Sequence, residues 1–209
     1  MKVKGSGPGG NPAPAGQPSI FPIHGYKSPL SRPGMFYVQP NLSKAFPERQ
    51  RRQYAQFISQ SFTEMIKKEP AKTGFWTTKG IQLSLYSEVL ANGSFRMLEK
   101  NGQIAGILLF KVYEQGPEAE DRVVRLVNEA VDRRIINPAE FEEFIEEFCK
   151  EMKTDLGTKT VISQEKKGDT YLSRVLKSAG FNKVDVSKEK DAYRSYSTSH
   201  KYAIYKKKL

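Results

Sequence analysis

The residues best suited to chemistry are the carboxylates of one acidic segment. Six glutamates fall within twelve positions: Glu140, Glu142, Glu143, Glu146, Glu147 and Glu151. Paired carboxylates can give and take protons in acid–base catalysis. The same spacing fits the solvated face of an amphipathic helix that begins at Asn137-Pro138. Because no cleft partner or metal ligand accompanies these glutamates in the sequence, we favour the solvated face.

Metal-ligating residues are few and far apart. The chain has one cysteine, Cys149, and two histidines, His24 and His200. One cysteine cannot form an internal disulfide, and this set contains no cluster with the spacing of a zinc site. The sequence therefore predicts no metal site.

Basic residues form a second group that could take part in binding. The formal net charge is +11, and it is concentrated towards the two ends of the chain. Arg49, Arg51 and Arg52 lie at the start of a predicted helix, and residues 206–208 are three consecutive lysines. Such basic ends can attract nucleic acid or another anionic partner, although a solvated surface explains them equally well.

Residues 1–47 have the composition of an extended arm. They hold nine of the twelve prolines, which remove backbone donors and so disfavour helices and central strands. The candidate partner-binding side chains of this arm are Phe21, Ile23, Tyr26, Phe36 and Tyr37. Aromatic groups bury a large area when they dock on a neighbouring subunit. The alternative is that the arm folds back over its own domain. If the arm is separate, its removal should leave a folded body.

Residues 48–209 have the alternating pattern of one α/β domain. We predict a helix over 47–68, strands over 75–116 with Asn92-Gly93 and Asn101-Gly102 turns, and helices over 118–134 and 137–153. A strand over 159–163, a helix from Asp169 to Gly180, and closing strands over 182–187 and 201–205 complete the order.

Three segments of this domain, GILLFKVY, TVISQ and TYLSRVLKSAGF, resemble the GNAT acetyltransferase family. The resemblance covers about residues 48–209. It implies an α/β (α+β) fold in which a mixed, mostly antiparallel central sheet is flanked by helices. The N-terminal arm precedes that domain.

The family's acetyl-CoA turn, Gln/Arg-x-x-Gly-x-Gly/Ala, has no good match where the resemblance places it. Members use the backbone N–H groups of this turn to hold the pyrophosphate. The corresponding segment here is YEQGPEAEDRVV, in which Pro117 removes a donor. Glu118, Glu120 and Asp121 would repel phosphate groups. The sequence thus predicts no cofactor.

The family's general acid is also missing from its expected place. Members often carry a tyrosine four residues before the glycine of Gly-Phe, and that position is Leu176 here. The asparagine often found eleven residues before this glycine is Asp169. We therefore predict that the fold is kept without a catalytic residue.

GNAT-like domains that lack these motifs also occur in virion proteins of tailed bacteriophages, which this chain resembles in its basic character and long arm. The leading hypothesis is a non-catalytic structural or interaction protein of a virion, whose arm binds other subunits. The alternative is a divergent GNAT N-acetyltransferase that uses acetyl-CoA. No apolar run is long enough to span a membrane, and no secretory signal is visible, so a virion or cytoplasmic location is expected.

Overall fold

The computed structural model describes residues 25–40, 94–114, 122–166, 168–185 and 202–209. These residues form one eight-stranded sheet and two helices. The strands are β1 Gly25–Pro29, β2 Met35–Pro40, β3 Phe95–Lys100, β4 Gln103–Glu114, β5 Arg122–Val131, β6 Thr160–Lys166, β7 Asn182–Lys183 and β8 Tyr202–Lys208. The helices are α1 Pro138–Leu156 and α2 Thr170–Ser178. The predicted helix over 47–68 and the first strands of the segment 75–93 lie outside the described residues.

The sheet is mixed and mostly antiparallel. Its strand order is β1-β2-β3-β4-β5-β6-β8-β7, and every neighbouring pair is antiparallel except β5 and β6. Helix α1 crosses over between this one parallel pair, because parallel strands cannot be joined by a tight turn. The fold class predicted from the sequence is therefore confirmed.

The turn predicted at Asn101-Gly102 is present in the hairpin of β3 and β4. Asn101 and Gly102 connect β3 to β4 with φ angles of 51° and 78°. Both values are positive, as the two-residue turn between twisted antiparallel strands requires. Gly106 marks a close approach, since a Cβ atom there would lie 3.3 Å from the Phe141 ring.

The predicted helix over 118–134 is wrong. Residues Arg122–Val131 form β5, which pairs with β4 on one side and with β6 on the other. A central strand is covered on both faces, so its apolar residues do not alternate and their spacing can imitate that of a helix. Four of its ten residues are valine, which favours a strand.

Residues 25–40, which the sequence placed in the arm, belong to the sheet. Strands β1 and β2 form a hairpin, and β2 pairs with β3. Met35, Tyr37 and Val38 of β2 are buried in the core. Deletion of residues 1–47 would therefore remove part of the core, which is at odds with the expectation that the remaining body stays folded. The predicted boundary at residue 47 lies outside the described residues.

Helix α1 begins with the capping box that the sequence predicted. Asn137 accepts from the Glu140 backbone N–H, the Glu140 side chain accepts from the Asn137 N–H, and Pro138 is the first helical residue. The helix ends at Gly157, which is left-handed. Its apolar face packs on the sheet through buried residues that include Phe141, Phe144, Ile145, Phe148 and Met152.

Two glutamates of the predicted solvated face point inward instead. Glu140 is buried and pairs with Lys100 of β3, with 2.7 Å between the nearest atoms. Glu151 is buried and accepts hydrogen bonds from Arg96 and from the Tyr37 hydroxyl. These two glutamates therefore tie α1 to β2 and β3, because a buried charge needs a partner.

Helix α2 also follows its local signals. Asp169 caps it by accepting from the Tyr171 and Leu172 backbone N–H groups. Leu176 is fully buried, and Phe181 is buried beyond the left-handed Gly180. Among the described helices, none is long and apolar enough to cross a membrane.

Candidate functional site

The sheet splits at its one parallel pair. Strands β5 and β6 are paired from Val123 with Thr160 to Leu126 with Ser163. Beyond that point β5 continues beside β4 to Val131, and β6 continues beside β8 to Lys166. The two halves of the sheet therefore part over the last residues of β5 and β6. We call this opening the splay.

A β-bulge decides which side chain of β5 faces the helices at the splay. Phe110 of β4 is opposite Leu126 and Leu109 is opposite Asn128, so that Val127 is the extra residue. A bulge shifts the alternation of side chains by one residue. Glu129 consequently stands opposite Leu108, on the same face as Leu126 and the core beneath the helices.

Glu129 is a carboxyl group with a strongly altered acidity. Its pKa is raised to about 7, chiefly by burial and in smaller part by the nearby Glu165 and Asp169. The opposing influences are Arg125 and a hydrogen bond of 2.5 Å that Ser163 Oγ donates to Glu129 Oε1. At neutral pH this group is close to half ionised, which suits a residue that takes up and releases protons.

A second carboxyl group, Glu165, lies on the same face of β6 as Ser163. It is 4% exposed, and its Oε2 accepts no hydrogen bond from the described residues. Burial raises the pKa of Glu165 to about 7, against hydrogen bonds from Tyr205 and Ser173 that lower it. The hydroxyls of Ser173 on α2 and Tyr205 on β8 are themselves 2.8 Å apart. Two carboxyls and three hydroxyls are thus gathered beside the splay.

The raised pKa of Glu165 predicts that stability falls as pH rises. Between pH ~4.5 and ~7 the folded protein keeps a proton that the unfolded chain releases, so unfolding becomes easier with increasing pH. We expect Glu165→Gln, which stays neutral, to raise stability at pH 8 by about 2 kcal/mol and to change little at pH 5.

Thermal unfolding of wild type and Glu165→Gln between pH 5 and pH 8 measures this difference. Glu146→Gln, at an exposed position of α1, is the matched control and should follow the wild type. A Glu165→Gln variant with the same pH slope as the wild type would contradict the expectation.

An ion pair crosses the end of the splay. Arg133 follows β5 and Asp169 precedes α2, and the closest atoms of the two side chains are 2.6 Å apart. The Arg133 guanidinium also lies over the Tyr171 ring, 4.5 Å from its centre. Asp169 therefore has two roles, because it caps α2 and holds the turn after β5 against that helix.

The turn between the parallel strand and its helix is not where the sequence predicted. The segment YEQGPEAEDRVV connects β4 to β5, and its residues 115–121 lie outside the described residues. The turn that enters α1 is residues 132–137, and it contains no glycine. Its Asn137 and Glu140 N–H groups are bound within the capping box, and Pro138 has none. These backbone groups are therefore engaged within the protein.

The predicted partner-binding residues that the structure describes lie on the β1–β2 hairpin and not at this site. Tyr26 on β1 is 67% exposed, whereas Tyr37 is 2% exposed and forms part of the core. Phe36 is partly buried, and the Lys27 ammonium lies 5.9 Å from its ring centre. The remaining candidates, Phe21, Ile23, Arg49, Arg51 and Arg52, lie outside the described residues.

Sequence reasoning missed the residues of the splay. Glu129, Ser163, Glu165, Ser173 and Tyr205 come from three strands and a helix, so no sequence spacing links them. One local signal was available, since Glu129 is the single acid in the valine-rich segment RVVRLVNEAV. An acidic residue within a buried strand is costly and commonly marks a site.

Comparison with known proteins supports the fold at low sequence identity. No family model and no curated protein matches the chain. An acetyltransferase of the GNAT family from Listeria monocytogenes matches with TM-score 0.55 and 12% identity, over 88% of this chain and 100% of that one. The ribosomal-protein α-N-acetyltransferase RimL, solved with coenzyme A, matches with TM-score 0.58 and 10% identity, over 88% and 98%. The microcin C7 self-immunity acetyltransferase MccE, solved with acetyl-CoA and AMP, matches with TM-score 0.55 and 13% identity, over 91% and 99%.

The chain therefore has the GNAT acetyltransferase fold. At these identities the likeness concerns the fold alone, because one fold can host many activities. These matching structures are acetyltransferases, so they give no support to the expected resemblance to phage virion proteins.

Proposed function

We propose that this protein transfers an acyl group from a thioester to an amine at the splay between β5 and β6. The observation that carries the proposal is the position of Glu129, a carboxyl group with a pKa of about 7 at the point where the parallel strands part. The GNAT fold of the chain supports it, since the matching structures are described as acetyltransferases. The donor is specified only as a thioester, and no step of the reaction depends on a diphosphate.

Glu129 acts as the general base. An amine attacks the thioester carbonyl carbon only in its uncharged form, so the ammonium must first lose a proton. A carboxylate with a pKa near the working pH can accept that proton and release it again. The hydrogen bond from Ser163 fixes Oε1 of Glu129, and the proposed contact of the amine is with the other oxygen, Oε2.

Tyr205 acts as the proton donor to the departing sulfur. The C–N bond forms, the C–S bond breaks, and the thiolate takes the phenol proton. The newly acylated nitrogen loses its second proton, which returns the tyrosinate to the phenol form. Burial raises the pKa of Tyr205, so the hydroxyl keeps its proton until the thiolate forms. Its partner Ser173 lies one turn before Leu176 on α2, so Tyr205 reaches from β8 towards the helix face that lacks the family's tyrosine.

The charge of the site fits a cationic acceptor. The carboxylates of Glu165 and Asp169 both raise the pKa of Glu129, and that of Asp169 also raises the pKa of Glu165. A bound ammonium group would stabilise the ionised carboxylates and so lower their pKa values. The same attraction favours the binding of the ammonium group. We therefore expect primary amines to be preferred over alcohols as acceptors.

The test is amine-dependent release of thiol by the full chain. S-acetyl-pantetheine and acetyl-CoA are offered as donors with a panel of primary amines and peptides, and free thiol and acetylated product are measured together. The proposal requires thiol release that depends on the amine and gives an acetylated amine. A full-length, folded protein that produces neither with any amine of the panel would contradict it.

A second candidate function is the interaction protein predicted from the arm. It is supported by β1, which forms one edge of the described sheet and carries the exposed Tyr26. Edge strands offer unpaired backbone groups to a further strand from a partner. Three strands separate β1 from β5 and the splay, so the two functions do not exclude each other.

A further inference from the structure

The backbone donors at the start of α1 are already bound within the protein. The N–H groups of Ile135 and Ile136 donate to the Asp132 carbonyl at 3.1 and 3.0 Å, and that of Arg134 donates to the Asp132 carboxylate at 3.0 Å. The capping box takes those of Asn137 and Glu140. Within the described residues 133–140, at most the N–H groups of Arg133 and Ala139 remain for a ligand.

The cations around this turn are neutralised by carboxylates as well. The Lys100 ammonium donates hydrogen bonds to Glu140 Oε1, Glu140 Oε2 and the Ile135 carbonyl, at 2.7, 2.9 and 2.8 Å. Arg133 pairs with Asp169, and Arg134 pairs with Asp132. A diphosphate would therefore have to break internal hydrogen bonds and ion pairs to bind here, which removes the advantage of a helix N-terminus.

We propose that the acyl donor is recognised through its acyl group and thiol arm alone, and that the start of α1 has lost the diphosphate subsite through the Asn137–Glu140 capping box and Lys100. The proposal rests on the proposed function for the existence of a donor. Its claim about α1 stands independently, because the binding of a diphosphate requires no acyl transfer. The substrate class is a pantetheine-type thioester for which the nucleotide contributes little.

Titration of the full chain with inorganic pyrophosphate tests the claim about α1. The wild type should bind it no better than non-specifically. Glu140→Ala frees the Asn137 N–H and the Lys100 ammonium, and should bind pyrophosphate at least about tenfold more tightly. Glu146→Ala removes the same charge from an exposed position of α1 and should behave as the wild type.

Asn137→Gly provides a second variant in case Glu140→Ala does not fold. Glycine is tolerated before a helix, and this change frees the Glu140 N–H. Specific pyrophosphate binding by the wild type would overturn the proposal. So would folded Glu140→Ala and Asn137→Gly variants that bind no more tightly than Glu146→Ala.

Comparison of two donors tests the claim about the substrate. Acetyl-CoA and S-acetyl-pantetheine should differ by no more than about threefold in kcat/KM. Acetyl-CoA that is preferred by about a hundredfold or more, with competition by pyrophosphate, would overturn the inference while upholding the proposed function. A wild type that neither binds pyrophosphate nor transfers acetyl groups would refute the proposed function and leave the claim about α1 supported.

Discussion

Glu129→Gln should reduce acyl transfer by about 10²–10⁴-fold at neutral pH, the usual contribution of a general base. The amide keeps the size of the carboxyl group and can still accept the hydrogen bond from Ser163, but it cannot take a proton from the amine. In the wild type, kcat/KM should rise with pH through about 7 and then level off, because the ionised form of Glu129 is the active one. The variant should lack this rise.

Initial rates of thiol release between pH 5.5 and pH 8.5 distinguish a catalytic role from a structural one. The matched control is Glu146→Gln, which changes the same functional group at an exposed position of α1. It should retain the wild-type rate and pH profile. If Glu129→Gln stays within about threefold of the wild type and keeps the rise, Glu129 is not the base.

Deletion of residues 1–40 should abolish cooperative folding, whereas deletion of residues 1–24 should not. The longer deletion removes Met35, Tyr37 and Val38 from the core, and each buried side chain of this kind contributes about 2 kcal/mol. The sum of about 6 kcal/mol is comparable with the whole stability of a domain, which is about 5–15 kcal/mol. It also removes the strand that pairs with β3 and the Tyr37 hydroxyl from Glu151.

Urea unfolding of the two deletions and the full chain measures the effect. The chain without residues 1–24 keeps every described core residue and should unfold at nearly the same urea concentration as the full chain. The chain without residues 1–40 should show no sharp transition. If it unfolds as sharply and as late as the full chain, then β2 is not part of the core. The shorter deletion is therefore the right one for testing whether the arm binds a partner.

Signals that act over a few residues allowed much of the described fold to be predicted. The Asn101-Gly102 turn, the capping box at Asn137 and the cap at Asp169 each satisfy backbone groups within four residues. Such signals work without knowledge of the rest of the chain. They explain why β3, β4, α1 and α2 were located from the sequence.

The main error, a helix in place of β5, shows where local reasoning fails. Whether RVVRLVNEAV forms a helix or a strand depends on the neighbours that cover it, and β4 and β6 are both supplied from other parts of the chain. The error moved the expected cofactor turn from residues 132–137 to the β4–β5 connection. It also placed Glu129 in a predicted helix, so this residue was not recognised as a site residue.

The sequence by itself determined the caps, the tight turns and the mixed α/β class of the fold, because each depends on neighbouring residues or on the pattern of apolar positions. The tertiary structure alone decided the chemistry of the site. The bulge at Val127 turns Glu129 towards the helices, and the splay brings it to Ser163 from a strand 34 residues away. Burial in that opening then raises its pKa to about 7. Both effects arise from packing between distant segments, so they have no counterpart in the spacing of residues along the chain.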